Sequence, residues 1–393
     1  MSIAKLWSTS PEQLQDKHVQ QVIAFSGSGK LNDSSDTSKE FRRFLTLIPS
    51  DYLIRYADES LGQKFEGNGF ALQDVVNEVG RRLGFMVENG RYRGVQGQIG
   101  HDGLWKSPEN ISIVIEVKTT DAYRIKLNTI AKYRRELVEN GHISEDRSSV
   151  LIVVGREDTG DLEAQIRGSR YAWSVRIISV DALLRLMKLK EATEDPLIHQ
   201  QIRSILVPRE FTKLDGIIDL VFSATEDIWE GDPSLEEEQK NSQESQTDDQ
   251  KPKIISAPAA FNDACTERIQ KHFGCSLIKQ SRTTFASPDG ETVLVCAVSK
   301  EHKSSLYWFA FHPYQQEALA KAAKSYVAFG CGSEKTIILI PLERFVLWLD
   351  SMWITEQKDR FYWHVKIRRE EDRFTLDLKK GYDAIDLTPY LLT

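Results

Sequence analysis

The first 264 residues of this 393-residue chain contain no cysteine, and the four that follow, Cys265, Cys275, Cys296 and Cys331, have neither CxxC spacing nor a histidine arrangement suited to zinc. A disulfide framework and a zinc ribbon are thereby excluded as organisers of the fold, and the four thiols read as reduced core residues. No run of about 18 apolar residues occurs, so the sequence offers nothing to span a bilayer, and no membrane partner is expected. The start Met1-Ser-Ile-Ala-Lys5 lacks the apolar core of a signal peptide, and the expected compartment is the cytoplasm. A basic excess is also missing: the formal net charge is −7. Residues 226–250, however, carry ten acids against Lys240, and setting aside their −9 leaves about +2 for the rest. Overall negative charge therefore does not exclude a nucleic-acid partner.

What is present suits two or three ordinary folded domains, with 40% hydrophobic and 28% charged residues. Residues 1–62 read as an amphipathic helical segment, with a helix entered at Ser10-Pro11, a second over Ser38–Leu47 and a third from about Pro49. Between them, Phe25-Ser-Gly-Ser-Gly-Lys-Leu31 resembles a phosphate loop only superficially. Ala24 stands where its first glycine belongs and Leu31 where its metal-binding hydroxyl belongs, so it is read as a loop between helices. Residues 63–229 alternate helix and strand: a helix over 70–83, a strand opening at Phe85, strands at 113–118, 149–154 and 175–180, and helices over 125–140, from Asp161, and over 182–189 capped by Asp181. Residues 191–229 read as helical. The acidic 230–256 stretch has little to bury and is read as a flexible linker. Residues 257–393 read as a second, α+β domain of antiparallel character, with recognition or regulation as its expected task. Its aromatics, Tyr307, Trp308, Phe309, Phe311, Tyr362, Trp363 and His364, are core residues or the wall of a cleft for a base or small ligand rimmed by Lys279, Arg282, Lys300 and His312.

The chemistry concentrates at Ile113-Val-Ile-Glu-Val-Lys-Thr-Thr120. In a strand, period two puts Glu116 and Lys118 on one face and Ile115 and Val117 on the other. A hairpin closing near Lys106–Asn110 brings Asp102, from Gly100-His-Asp-Gly103, beside Glu116. Two carboxylates suit Mg2+, which takes one or two protein carboxylates and fills its other positions with water and phosphate oxygens. A neighbouring lysine can orient or deprotonate the attacking water and offset charge on a phosphate. The plainer reading is an exposed strand with an ordinary surface ion pair.

At these residues the chain resembles the PD-(D/E)XK, or restriction-endonuclease-like, nuclease superfamily: Asp102, then Glu116-x-Lys118, with a helix before and a strand–helix pair after, over roughly residues 65–190. The resemblance implies a mixed sheet flanked by helices and an Mg2+-dependent deoxyribonuclease, with Mn2+ able to substitute. In it Asp102 and Glu116 hold the metal and Lys118 serves the water. His101 replaces the usual proline, and the helical acid of many members is replaced by Gln73, with Glu78 and Glu66 as other candidates. Gln165 and Arg167 are similar in kind to a Gln-x-Lys pair of Mrr-type restriction nucleases. Arg81, Arg82, Arg91 and Arg93, and Arg134 with Lys126, Lys132, Arg135, Tyr123 and Tyr133, are candidate phosphate contacts, although solvation and ion pairing explain them nearly as well.

The expected function is a DNA endonuclease of restriction, defence or repair, in which a homodimer would supply two active sites. The alternative is a catalytically idle nucleic-acid-binding or nucleotide-sensing protein, and a modified base or small molecule is a possible ligand of the C-terminal domain.

Overall fold

A computed structural model describes residues 2–93, 99–119, 126–155, 160–208, 257–302, 305–357 and 360–392. The chain divides into two compact units, Met1–Ala192 with Pro196–Phe222, and Thr193–Asp195 with Ser223–Thr393. The architecture is mixed α/β. No helix among the described residues is long and apolar enough to cross a membrane. Tyr123, residues 209–229 and the 230–256 stretch lie outside the described residues.

The first unit begins with α1 (Ile3–Thr9), α2 (Glu12–Gln15), α3 (Val19–Ala24), α4 (Asp36–Leu47) and α5 (Ser50–Gly62). Helix α1 was not anticipated, and the helix expected from Ser10 divides into α2 and α3. The cause is tertiary. Glu59 of α5 accepts from the Val19 amide at 2.6 Å and meets His18 Nδ1 at 2.9 Å, so a distant carboxylate caps α3 where the local sequence offers no strong stop.

Next come α6 (Asn68–Arg82), β1 (Met86–Asn89), β2 (Gly103–Lys106), β3 (Ser112–Lys118), α7 (Leu127–Glu139), β4 (Ser148–Val154), α8 (Gly160–Arg167), β5 (Val175–Ser179), α9 (Val180–Ala192) and α10 (Pro196–Ile205). The sheet order is β1-β2-β3-β4-β5. β1, β2 and β3 pair antiparallel, whereas β3, β4 and β5 run parallel. Connection length explains the switch: a short turn at Ser107–Ile111 permits only a hairpin, whereas the helical connections after β3 and β4 carry the chain back to start each new strand in the same sense. Helix α9 starts at Val180, one residue before the expected cap; the Ser179 hydroxyl, not Asp181, accepts from the Ala182 amide at 3.1 Å.

Both sheet faces are covered. Leu104, Val114, Ile130, Val150 and Ile152 share a core with Leu162 of α8. Trp105 stands on the other face against α6, donating its Nε1–H to Asn77 Oδ1 at 3.0 Å. Any side chain at Gly80 would run into its indole, since a Cβ there would lie 2.5 Å from the ring.

A buried ion pair locks α6 to α4. Arg82, 5% exposed, donates from Nε to Glu78 Oε1 at 2.9 Å and from Nη2 to the Leu45 and Ile48 carbonyls at 3.1 and 2.9 Å. The guanidinium fork thus satisfies carbonyls that the end of α4 would leave unpaired. This corrects two expectations. Arg82 is too deeply buried to reach a phosphate, and Glu78, with its second oxygen 3.2 Å from Arg81, is committed to arginines rather than to a metal.

The second unit comprises α11 (Ala257–Phe273), β6 (Ile278–Lys279), β7 (Thr284–Ala286), β8 (Thr292–Ser299), β9 (Leu306–Phe311), α12 (Pro313–Ala320), β10 (Lys324–Cys331), β11 (Ile337–Pro341), α13 (Leu342–Phe345), β12 (Trp353–Gln357), β13 (Arg360–Glu370), β14 (Arg373–Asp377) and β15 (Ile385–Asp386). One sheet runs β11-β10-β8-β7-β6, the other β12-β13-β14-β15 with β9 against β13. β10 pairs parallel with β8, so the first sheet is mixed rather than antiparallel. Helix α12 ends at Ala320, and Lys324 already opens β10. Period two sorts the aromatics: Tyr307, Phe309 and Phe311 are buried, whereas Trp308 turns the other way and donates to His364 Nδ1 at 3.0 Å. All four cysteines are free; Cys265, Cys296 and Cys331 are buried. A hollow of about 530 Å3 is lined by Gln280, Thr284, Val293 and Lys321 and by none of Lys279, Arg282, Lys300 or His312.

Arg82→Met should destabilise the first unit by about 3–5 kcal/mol, because Glu78 loses its buried partner and keeps only Arg81, and the Leu45 and Ile48 carbonyls lose their donor. The double variant Glu78→Leu/Arg82→Met should recover part of that loss. Urea titration followed by tryptophan fluorescence measures both, and equal losses would contradict the pairing.

Candidate active site

Asp102 sits one residue before the Gly103–Ile115 pair that opens the β2–β3 ladder, with its amide donating to the Ile115 carbonyl at 3.0 Å. Its backbone carbonyl accepts three hydrogen bonds: from Gln73 Nε2 and Asn77 Nδ2, each at 3.0 Å, and from the Gly90 amide at 2.9 Å. Gln73 and Asn77 are four residues apart and therefore stacked on one face of α6. Gly90 is required by close approach, since a Cβ there would stand 1.9 Å from the His101 carbonyl oxygen.

With its backbone so held, Asp102 turns its carboxylate onto β3, where Oδ2 accepts from the Val117 amide at 2.7 Å. Glu116 and Lys118 stand on that side, with Lys118 Nζ 2.5 Å from Glu116 Oε1. Glu116 is 8% exposed, and its other oxygen, Oε2, is buried with no hydrogen-bond partner among the described residues. Asp102, Glu116 and Lys118 therefore come together.

The electrostatics follow from burial. Burial, and then the charge of Glu116, push the Asp102 carboxyl up to about 7, against the Val117 amide and Lys118. Burial pulls Lys118 down, but Glu116, by charge and hydrogen bond, and Asp102 outweigh it, so the ammonium is held more firmly than an ordinary lysine. Tyr133 of α7 joins the same group: burial and then Glu116 raise its hydroxyl.

The other expected residues are placed as follows. Gln73 takes part as the anchor of the Asp102 backbone; its Nε2 also reaches the Arg91 carbonyl at 3.4 Å. Glu66 is exposed and paired with Lys30 at 3.2 Å. Arg134 is consumed in holding the α7–β4 connection, donating to the Ser148 and Glu145 carbonyls at 3.1 and 2.6 Å, which corrects its reading as a phosphate contact. Arg81 is shared between Glu78 and Asn89. Arg167 is exposed and paired with Glu163 at 2.9 Å, one turn away on its own helix, with Gln165 half-buried between them. Arg93 is exposed, as are Lys126 and Arg135. Sequence reasoning missed Asn77 and Gly90. Spacing from Gln73 was the available signal for Asn77; nothing local marked Gly90.

Two hard carboxylates, one with a buried, unbonded oxygen, fit a divalent cation that completes its shell with water and phosphate. Among the described residues, no third His, Cys, Asp or Glu completes a protein-only metal site. No family model matches the chain, and no curated protein matches it. The functional reading rests on the chemistry of the site.

An acid whose folded pKa lies above its unfolded value stabilises the fold relatively at low pH and loses that contribution as pH rises from about 4 through about 7. Asp102→Asn should therefore be more stable than the metal-free parent at pH 8 by more than about 1.4 kcal/mol, and nearly equal to it at pH 4. Denaturant unfolding in EDTA at both pH values checks this, and a variant less stable than the parent at pH 8 would refute the assignment.

Proposed function

We propose that the first unit is a metal-dependent endonuclease that hydrolyses DNA phosphodiester bonds, on a restriction-endonuclease-like fold. The observation that carries the reading is the convergence of Asp102, Glu116 and Lys118 with an unbonded, buried Glu116 oxygen among them. Supporting it is the order helix, hairpin, strand, helix, strand from α6 to β4, with Asp102 immediately before β2 and Glu116-x-Lys118 at the end of β3. Those are the positions the resemblance assigns to the metal ligands and the lysine.

Asp102 and Glu116 would hold Mg2+ or Mn2+. When bound, such an ion supplies Lewis acidity and charge neutralisation at a phosphate. The rest falls to the protein. Asp102 must lose its proton to act as a ligand, so cation binding and activity rise with pH through about 7. Lys118, kept protonated by its acidic neighbours, donates to a water or to a non-bridging phosphate oxygen and offsets the charge that develops there. The triply bonded Asp102 carbonyl fixes the carboxylate, so little reorganisation is needed when substrate arrives. Arg93, Lys126 and Arg135 are among the exposed basic residues that could meet the polyanion backbone. The second unit takes the part of a recognition or regulatory domain. Restriction, defence or repair is the context this chemistry suits, and a homodimer would provide the second cut of a duplex.

Plasmid DNA incubated with Mg2+ or Mn2+ should be nicked or linearised by the parent, and Asp102→Ala and Lys118→Ala should each lower the rate at least about 100-fold, the scale of a lost electrostatic or general-acid contribution. DNA loss that is equal in all three proteins, or absent from all, while DNA is still bound, would favour the catalytically idle nucleic-acid-binding alternative.

A further inference from the structure

Beside the acid pair, the first unit contains a cavity of about 370 Å3. Its apolar lining comes from Ile99, Leu104 of β2 and Leu137 of α7. Its polar wall includes His101 and Arg91. Nδ1 of His101 is buried and makes no hydrogen bond among the described residues. The Arg91 side chain has no hydrogen bond or ion pair among the described residues, its one contact being through its backbone carbonyl to Gln73. A hollow of this size, with Ile99, Leu104 and Leu137 on its apolar side and polar groups on the other, suits a planar heterocycle that offers both a ring face and a polar edge. A neutral imidazole presents one donor and one acceptor to such a ring's edge, and a guanidinium suits a phosphate.

The cavity adjoins the candidate active site through two chain connections. His101 immediately precedes Asp102. Leu137 lies one turn along α7 from Tyr133, whose hydroxyl stands 3.2 Å from where a Cβ on Gly100 would be and which feels the charges of Glu116, Lys118 and Asp102. A polynucleotide with a phosphate at Asp102 and Glu116 thus has a neighbouring nucleotide within reach of the cavity. His101, His142 and Glu88 also line the cavity, and among the described residues no three such side chains are grouped to hold an ion.

We propose that this cavity receives one unpaired nucleobase of the substrate, with His101 at the base edge and Arg91 toward an adjoining phosphate, so that the enzyme acts where a base is out of the stack. The proposal rests on the nuclease reading for the position of the phosphate. A base inside a duplex is stacked and paired and cannot enter, whereas a single-stranded, mismatched or extruded base enters at a cost of a few kcal/mol or less.

The test uses the full chain carrying Asp102→Asn, in EDTA, so that no cleavage is needed. The probe is a short duplex with one unpaired 2-aminopurine, compared with the same duplex carrying an abasic position there. Binding should raise the 2-aminopurine fluorescence at least about threefold as the base leaves its neighbours, and the abasic duplex should bind at least fivefold more weakly. Leu137→Trp, which fills the cavity, should abolish the rise and bring the two duplexes to equal affinity. His101→Ala, a smaller disturbance, should weaken the base-containing duplex alone; thermal unfolding of both variants shows whether they are folded. Equal affinity for both duplexes in the unfilled protein, or an undiminished rise in folded Leu137→Trp, overturns the proposal. Parent protein that fails to cut with Mg2+ or Mn2+ while the fluorescence rise survives sinks the nuclease reading alone, and absence of binding to either duplex sinks both.

Discussion

The Asp102 carbonyl and its three donors are the constraint on which the first unit's chemistry depends. A carbonyl oxygen has two lone pairs, and saturating it with two side-chain amides from α6 and one backbone amide from the end of β1 pins the start of β2 to its neighbours on both sides. From that fixed point the ladder with β3 sets everything else: Asp102 opposite the end of β3, Glu116 and Lys118 on the facing side, Val117 presenting its amide to the carboxylate. Supports of this kind place groups to within a fraction of an ångström without themselves touching substrate.

The helical segment contributes to the same end from further away. Asp74, one residue after Gln73, is fully buried and takes Arg42 of α4 at 2.8 Å and the Tyr92 hydroxyl on its two oxygens. Arg42 also lies 4.8 Å over the Tyr92 ring, which stacks on Phe70 at 4.8 Å. The Tyr92 amide in turn donates to Asp33 at 2.8 Å. This network fixes the chain just after Gly90 and Arg91, the residues that contribute an amide to Asp102 and a carbonyl to Gln73. Residues 1–62 therefore belong to the machinery that holds the site and not merely to a neighbouring helical layer.

Burying two carboxylates together is unfavourable, and the direction of the Asp102 shift is the visible sign of it. The arrangement is tolerated because Lys118 neutralises one charge and the Val117 amide solvates the other, while Glu116 keeps one oxygen unbonded. Contrast the Glu78–Arg82 pair, where five donor–acceptor contacts close around the guanidinium and carboxylate and nothing is left to bind. Both are buried ionic groups on the first unit's core helix and sheet. The first is incomplete and chemically available; the second is satisfied and structural.

Local pattern sufficed for much of this. Alternating and continuous apolar runs placed β3 and β4, the 3.6-residue stripe of Leu72, Val75, Val76 and Val79 placed α6, and the two-residue period put Glu116 and Lys118 on one face, because side-chain direction along a strand or helix is set by backbone geometry alone. The same information was silent about Arg82 and Arg134, since whether a guanidinium meets solvent, a phosphate or an unpaired carbonyl depends on chain ends up to 37 residues away. It was silent about β10, whose partner β8 is reached only through a parallel crossover. Sequence determined which residues share a face of each element. Tertiary structure decided which of those faces close on one another, because the burial of Asp102, the unbonded oxygen of Glu116 and the cavity beside them are properties of the space between elements, and no single stretch of chain encloses that space.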